Sequence, residues 1–420
     1  MNEADLVQAA GPTLPATKER PWLFGLLIAP NGVLANGLIS GVLFYLLRKQ
    51  GVGMGRSSQI VALLILPQSI YFLWSPITDF WIRRRTWLIV GAIASALTMA
   101  AAFHGGRLDT PSAVALMFLS ACFGQLIVSS CGGMMGSLHK EASRRKASSF
   151  YQAGSLAFGA LGILALASLA ERLSIGPLGW ITAALIALPS LAALAAPEQS
   201  QQLEEGIKQT FGCIWHEFKT TFFRWRAVPY TLVMLFPMCS GAAIGLLPGI
   251  AQDYGVTGQQ MAWMNGLAGA LLTAAGSLAA TLIPARVRAP VAYLSVGILN
   301  EATIAILWMA PLRPSTYFVG TTLYLFTIGA CYALFTAVVL EFLGQSGKSG
   351  CSRYSIINSL GNVPVAYMTA VDGHGGKLWG ARGLAGTDAV VGVIGATILL
   401  AYFLSRKRAE APVTAYAAGD

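Results

Sequence analysis

Twelve long apolar runs dominate this sequence of 420 residues, and they decide what it can fold into. About 20 residues at 1.5 Å rise cross the hydrocarbon core of a bilayer, so each run predicts a spanning helix. Only 11% of the residues are charged, whereas soluble domains carry about 25%. We therefore predict an all-α membrane protein with helices at 22–47, 57–78, 86–103, 112–137, 147–170, 179–196, 228–250, 259–283, 291–310, 316–342, 354–371 and 385–404.

One polar stretch, 197–227, interrupts this pattern after the sixth run. It separates six helices from six, an arrangement typical of membrane carriers built from two parallel half-units. The predicted organisation is a tail (1–21), an N-terminal half (22–196), a linker (197–227), a C-terminal half (228–404) and a second tail (405–420).

The basic residues predict the orientation. If the N-terminus is cytoplasmic, 20 of the 28 Lys and Arg residues fall on the inner side, although Arg48, Lys49 and Arg56 in one outer loop oppose this count. Residues 1–20 lack the apolar core of a signal peptide. We therefore expect a multi-pass, monomeric protein of the bacterial inner membrane with both termini in the cytoplasm.

The net charge of +10 is best explained by contact with anionic membrane lipids, so we expect no nucleic-acid partner. The six cysteines form no C-x-x-C pair and the four histidines are scattered along the chain. The sequence also lacks a P-loop. We therefore predict no enzymatic activity, no metal and no cofactor.

The strongest local motif joins the second and third helices: Tyr71-Phe72-Leu73-Trp74-Ser75-Pro76-Ile77-Thr78-Asp79, followed by Arg83, Arg84 and Arg85. An acid at one helix end and arginines at the next can form a cytoplasmic gate of ion pairs that break and re-form. Glu341 is the predicted counterpart in the second half, with Lys348 or Arg353 as its partner. The alternative is that the arginines only fix topology.

The Phe-Leu-Trp-Ser-Pro-x-x-Asp part of this motif, with its trailing arginines and Trp87, resembles the muropeptide permease and acetyl-CoA transporter branch of the major facilitator superfamily, which includes siderophore importers. The superfamily's wider loop motif, Gly-x-x-x-Asp-Arg-x-Gly-Arg-Arg, is matched in part, since Ser75 replaces the first glycine and Phe80 the first arginine. The resemblance implies two pseudo-symmetric six-helix halves around a central cavity.

Glu301 lies near the middle of the ninth predicted span. A bare carboxylate costs at least about 2.5 kcal/mol there, so this residue could couple transport to protons. Alternatively it is structural and hydrogen-bonds Asn300 or a neighbouring helix. Two more acids, Glu341 and Asp388, are expected to be ordinary interface charges, with Asp388 near the outer surface.

Uncharged polar residues are the predicted lining of the substrate cavity. In this fold helices 1, 2, 4, 5, 7, 8, 10 and 11 surround the cavity, and several pairs such as Asn36 and Ser40 are spaced i, i+4, on one helix face. The alternative role for any one residue is interhelical hydrogen bonding. The candidates are Asn31, Asn36, Gln68, Tyr71, Gln125, Tyr151, Gln152, Asn265, Tyr324, Asn358 and Asn362.

These residues predict a secondary active transporter that uses the proton gradient and alternating access. The spans hold no Lys or Arg at mid-depth, which disfavours small phosphorylated substrates. Aromatic and amide groups suit a mid-sized amphiphile such as a siderophore or muropeptide. Import follows from the resemblance, and the alternative is a proton-driven efflux pump for drugs or metabolites with the same fold.

Overall fold

A computed structural model of the chain describes residues 20–74, 77–78, 80–136, 138, 141–196, 212, 215, 219, 222, 227–284, 286–344 and 359–405. These residues are almost entirely helical. The first half consists of α1 (Leu23–Lys49), α2 (Met54–Ile70), α3 (Arg84–His104), α4 (Pro111–Gly136), α5 (Glu141–Ala170) and α6 (Ile175–Ala195).

The second half contains a divided seventh helix, α7a (Val228–Leu235) and α7b (Ala242–Ile250), then α8 (Gly258–Leu282), α9 (Ala289–Met309) and α10 (Pro314–Gly344). The run Val363–Ser405 holds two helices, α11 (363–378) and α12 (381–405), separated at Trp379 (φ −130°) and Gly380 (φ +67°). Nine helical stretches of the described chain are long and apolar enough to span a membrane. The last of these stretches contains two helices, α11 and α12. The helix α2, with 17 residues, and the divided α7 are not among the nine, so with them the described helices match the predicted twelve.

Three predicted helix boundaries are wrong. The second helix ends at Ile70 and continues only as a 3₁₀ turn, Tyr71–Leu73, rather than reaching residue 78. The seventh, predicted as 228–250, is divided, because Pro237 has no N–H to donate and Gly241 takes a left-handed conformation (φ +75°). The polar run 372–384, predicted as a loop, is helical except for two residues.

Within each half, helices approach almost backbone to backbone where glycine removes the side chain. A Cβ on Gly154 of α5 would lie 2.2 Å from the carbonyl oxygen of Gly25 in α1. One on Gly276 of α8 would lie 1.7 Å from the carbonyl oxygen of Phe326 in α10. Such contacts are how helices gain packing energy in lipid, where apolar burial contributes little.

The two halves meet through α1 and α7b, α2 and α11, and α5 and α8. A Cβ on Gly249 would lie 2.0 Å from Phe44, one on Gly373 1.6 Å from Oγ of Ser58, and one on Gly266 3.1 Å from the carbonyl oxygen of Ala160. We call the end of the bundle with the α1–α2, α5–α6, α7–α8 and α11–α12 turns the outer end, since the charge count predicts that it faces away from the cytoplasm.

Candidate functional site

Three acidic side chains lie buried in the second half, one on each of α9, α11 and α12. Glu301 is 2% exposed, Asp372 0% and Asp388 3%. Each lies close enough to the other two to interact with them electrostatically. We call these residues the buried acid cluster.

No cation offsets the charge of this cluster within the described residues. The ion pairs there join Arg48 to Asp253, Lys49 to Glu171, and Arg107 to Asp109, and involve no member of the cluster. The same residues contain no group of His, Cys, Asp and Glu arranged to hold a metal ion. A charge taken out of water without a partner costs several kcal/mol, so three ionised carboxylates at these positions would be strongly destabilising.

Glu301 is held by the interruption in the seventh helix. Its Oε1 accepts the backbone N–H of Cys239 (3.2 Å), while its Oε2 has no hydrogen-bond partner among the described residues. Its carboxyl also packs on the backbone of α12, because a Cβ on Gly392 would lie 2.3 Å from Glu301 Cδ. Glu301 therefore connects α9 to both α7 and α12.

The interruption itself, residues 236–241, is strained. Cys239 has φ +50°, a left-handed conformation that costs an L-residue roughly 1–2 kcal/mol. Side chains bind the segment and its flanks at four points. Tyr367 O–H donates to the carbonyl of Leu235 (2.7 Å), and Tyr293 O–H donates to the carbonyl of Met238 (3.5 Å). Ala242 N–H donates to Ser240 Oγ (3.1 Å), and Cys239 N–H donates to Glu301. The break is thus a fixed structure rather than a frayed end.

Asp372 and Asp388 are brought together by a tight helical hairpin. A Cβ on Gly383 would lie 2.3 Å from the carbonyl oxygen of Gly375, so α11 and α12 touch through their backbones. The side chain of Asp372 interacts directly with that of Asp388. The hairpin therefore buries two acids side by side.

This part of the site was not predicted from the sequence. Asp388 was expected near the outer surface as an ordinary interface charge, but the side chain is buried two turns inside α12. Asp372 was expected in a loop, but it lies in α11. The glycines flanking both acids, Gly373 and Gly386 among them, are the sequence signal of a hairpin close enough to bury them.

Two predicted cavity residues form interhelical hydrogen bonds. Asn36 of α1 donates to Ser155 Oγ of α5 (3.0 Å), and Asn265 of α8 donates to the hydroxyl of Tyr317 in α10 (2.7 Å). The predicted i, i+4 pairing of Asn36 and Ser40 on one face applies to a regular α-helix, whereas Gly32–Val42 is a wider π-helix. Both amides are thus already engaged within one half.

The other predicted cavity residues are distributed as follows. Asn31, Tyr71, Gln125 and Tyr324 are buried, and the Oδ1 of Asn31 has no hydrogen-bond partner among the described residues. The remaining members are partly buried (Gln68, Tyr151, Asn362), exposed (Gln152) or outside the described residues (Asn358).

Of the predicted gate, Asp79 lies outside the described residues, as do Lys348 and Arg353. Arg83 precedes α3, Arg85 lies in its first turn, and Arg84 donates to the carbonyl of Gly133 in α4 (2.7 Å). Glu341 accepts the hydroxyl of Tyr230 (2.7 Å) and the N–H of Ala289 (3.2 Å), which joins α10 to α7a and α9.

At the outer end, Glu171 joins the two halves. Its carboxylate accepts the hydroxyl of Tyr45 and pairs with Lys49 (3.3 Å), and the first residue of α8, Gly258, lies against it. The hydrogen bond from Tyr45, followed by the charge of Lys49, lowers the pKa of Glu171 against the opposing effect of burial. Arg48 of α1 also pairs with Asp253 after α7b (3.7 Å).

Two six-helix halves and a cluster of buried acids define a membrane transporter. The family profile described as Major Facilitator Superfamily matches residues 32–366, and the chain belongs to that superfamily. No curated protein matches the chain.

Solved structures show the same fold at low identity. The nucleoside transporter NupG aligns with a TM-score of 0.71 at 12% identity, covering 92% of this chain and 99% of that one. A POT family transporter in complex with 5-aminolevulinic acid gives 0.70 at 11%, covering 90% and 95%. The peptide transporter POT in complex with sulfate gives 0.69 at 13%, covering 96% and 98%.

Proposed function

We propose that this transporter is a proton-driven importer of a mid-sized amphiphilic solute, and that the buried acid cluster carries the coupling proton. The observation that supports this is the burial of three carboxyls with no cation beside them among the described residues. A carboxyl in such a place is most stable with a proton, and releases it when water reaches it.

Glu301 is the member that links proton binding to movement. An ionised carboxylate accepts a hydrogen bond roughly twice as strong as a neutral group does. Protonation of Glu301 therefore weakens its hold on the N–H of Cys239. The strained segment at Cys239 leads into α7b, which packs on α1 of the other half through Gly245 and Gly249. The proton thus acts on the contact between the halves.

For the substrate, the support is the chemistry of the cavity residues and the resemblance of the motif around Asp79 to importers of muropeptides and siderophores. Of the proteins with the same fold, NupG is named a nucleoside transporter and POT a peptide transporter. The buried Oδ1 of Asn31 is the acceptor we assign to a substrate N–H or O–H group. The charge distribution supports a bacterial inner membrane with both termini in the cytoplasm.

The test is uptake by reconstituted protein. Proteoliposomes would first be screened by counterflow with siderophores, muropeptides, nucleosides and dipeptides. Accumulation is then measured with a solute that the protein transports. A proton driving force of 100 mV supplies about 2.3 kcal/mol per proton, which corresponds to about 50-fold accumulation of a neutral substrate carried with one proton. We expect Glu301→Gln and Asp388→Asn to abolish this accumulation but to retain counterflow exchange.

The control variant is Asp109→Asn, since Asp109 pairs with Arg107 outside the membrane spans and should leave accumulation unchanged. Full gradient-driven accumulation by the Glu301 and Asp388 variants would refute the coupling role of the cluster. A wild-type protein indifferent to imposed pH gradients of either sign would refute proton coupling altogether.

A further inference from the structure

A cavity lies between the two halves at the outer end. Its volume is about 510 Å³, within the range of small-molecule sites. The end of α1 and the start of α2 form one wall, and the α11–α12 corner forms the other. Its polar lining comes from Arg48, Arg56, Gln59, His374 and Lys377.

The lining is strongly cationic. Arg48, Arg56 and Lys377 carry permanent charge, and no Asp or Glu lines the cavity. Two carboxylates at this end are already engaged: Asp253 pairs with Arg48 (3.7 Å), and Asp109 accepts hydrogen bonds from Nε (3.0 Å) and Nη2 (2.9 Å) of Arg107. Within the described residues Arg56 and Lys377 form no ion pair, and only Asp109 attracts Arg56 from outside the lining, so the cavity carries a net positive charge.

The start of α2 adds backbone donors to the same wall. This helix of 17 residues begins at Met54, and its N-cap residue, Gly53, has no side chain to satisfy the first-turn N–H groups. Gly53, Met54 and Gly55 all line the cavity. Free N–H groups and the positive end of the helix dipole favour an anion.

We propose that this cavity binds an oxyanion, a phosphate or carboxylate group, that bridges the two halves and holds the outer end closed. Each half supplies one cation that forms no ion pair within the described residues, Arg56 from α2 and Lys377 from α11. Directly beside the cavity the halves are in contact, because a Cβ on Gly55 would lie 3.1 Å from Cδ of Lys377 and one on Gly376 3.1 Å from Sδ of Met54. Opening the outer end separates these walls and dismantles the site, so the ligand favours the closed state.

The test uses the full chain in nanodiscs of phosphatidylcholine. Inorganic phosphate is added at constant ionic strength, and thermal unfolding and hydrogen exchange at the outer ends of α2 and α11 are followed. A parallel set of nanodiscs contains 30% phosphatidylglycerol and no phosphate. The variants are Arg56→Gln, Lys377→Gln and the double variant, with Arg313→Gln as the matched control because Arg313 is exposed at the same end but does not line the cavity.

We expect an oxyanion to raise Tm and slow exchange in wild type and in the Arg313 variant. Each cavity variant should bind at least about tenfold more weakly, the loss of one hydrogen bond to a charged group. Stabilisation by inorganic phosphate identifies a free anion, and stabilisation by phosphatidylglycerol alone identifies a lipid headgroup. Equal stabilisation of all variants, or none in either arm, would overturn the proposal. Neither readout involves transport, so the result is independent of proton coupling.

Discussion

The contact between Gly373 and Ser58 gives a direct test of how the outer end closes. A Cβ added at position 373 would lie 1.6 Å from Ser58 Oγ and 2.0 Å from Ser58 Cβ. Turning the hydroxyl cannot remove this overlap, because the Cβ of Ser58 is itself too close. Ser58 is fully buried. Gly373→Ala must therefore push α2 and α11 apart.

Overpacking of this kind typically costs 1–3 kcal/mol. The contact joins the two halves, so opening of the outer end relieves the strain. We expect Gly373→Ala to shift the equilibrium towards the outer-open state by roughly 5- to 150-fold. Hydrogen exchange measured by mass spectrometry should show faster deuterium uptake in peptides from the outer ends of α2 and α11.

A second substitution provides the decisive control. Ser58→Gly removes the obstructing atoms, and the nearest remaining atom, Ser58 Cα, is 3.5 Å away, an ordinary contact distance. The double variant should therefore regain wild-type exchange. Gly132→Ala on α4, where a Cβ meets no atom within 4 Å, should have no effect. Unchanged exchange in Gly373→Ala, or no rescue by Ser58→Gly, would refute the reasoning.

Two further predictions concern polar contacts. The lowered pKa of Glu171 means that its carboxylate stabilises the fold above its ordinary pKa of 4.5 and loses that effect as the pH falls through the folded value. The Tm deficit of Glu171→Gln should thus be largest at pH 7 and shrink by pH 4, and a deficit independent of pH would contradict this. Asn265→Leu removes the hydrogen bond to Tyr317 and should cost about 1 kcal/mol in unfolding free energy without weakening substrate binding. A loss of binding with unchanged Tm would place Asn265 in the substrate site instead.

Hydropathy and charge were enough to predict the twelve helices and their two sets of six, because length and polarity decide what can cross a bilayer. They failed where a helix continues beyond the apolar run. Asp372, His374 and Lys377 made residues 372–384 read as a loop, whereas α11 extends to residue 378. Hydropathy scores composition and does not detect whether a polar residue on a helix faces a neighbouring helix.

Of the three acids in the buried acid cluster, only Glu301 was a candidate site residue from the sequence. Glu301 was identified because one acid stood in an apolar run, and its role in proton coupling stays a prediction. Its connection to the backbone of Cys239 depends on the break at Pro237, which required the three-dimensional arrangement of α7 and α9. The prediction that Asn36 and Ser40 share one face of α1 was limited for a related reason, because a π-helix changes which residues lie on the same face.

The turn between α11 and α12 has a mechanical consequence. Only Trp379 and Gly380 separate the two helices, and their backbones touch at Gly375 and Gly383. Two helices joined by so short a link cannot move independently, so α11 and α12 should move as one rigid body. The distance between the acids they carry would then stay constant throughout the cycle. Under the proposed proton coupling, only the access of water to this fixed pair would then change during transport.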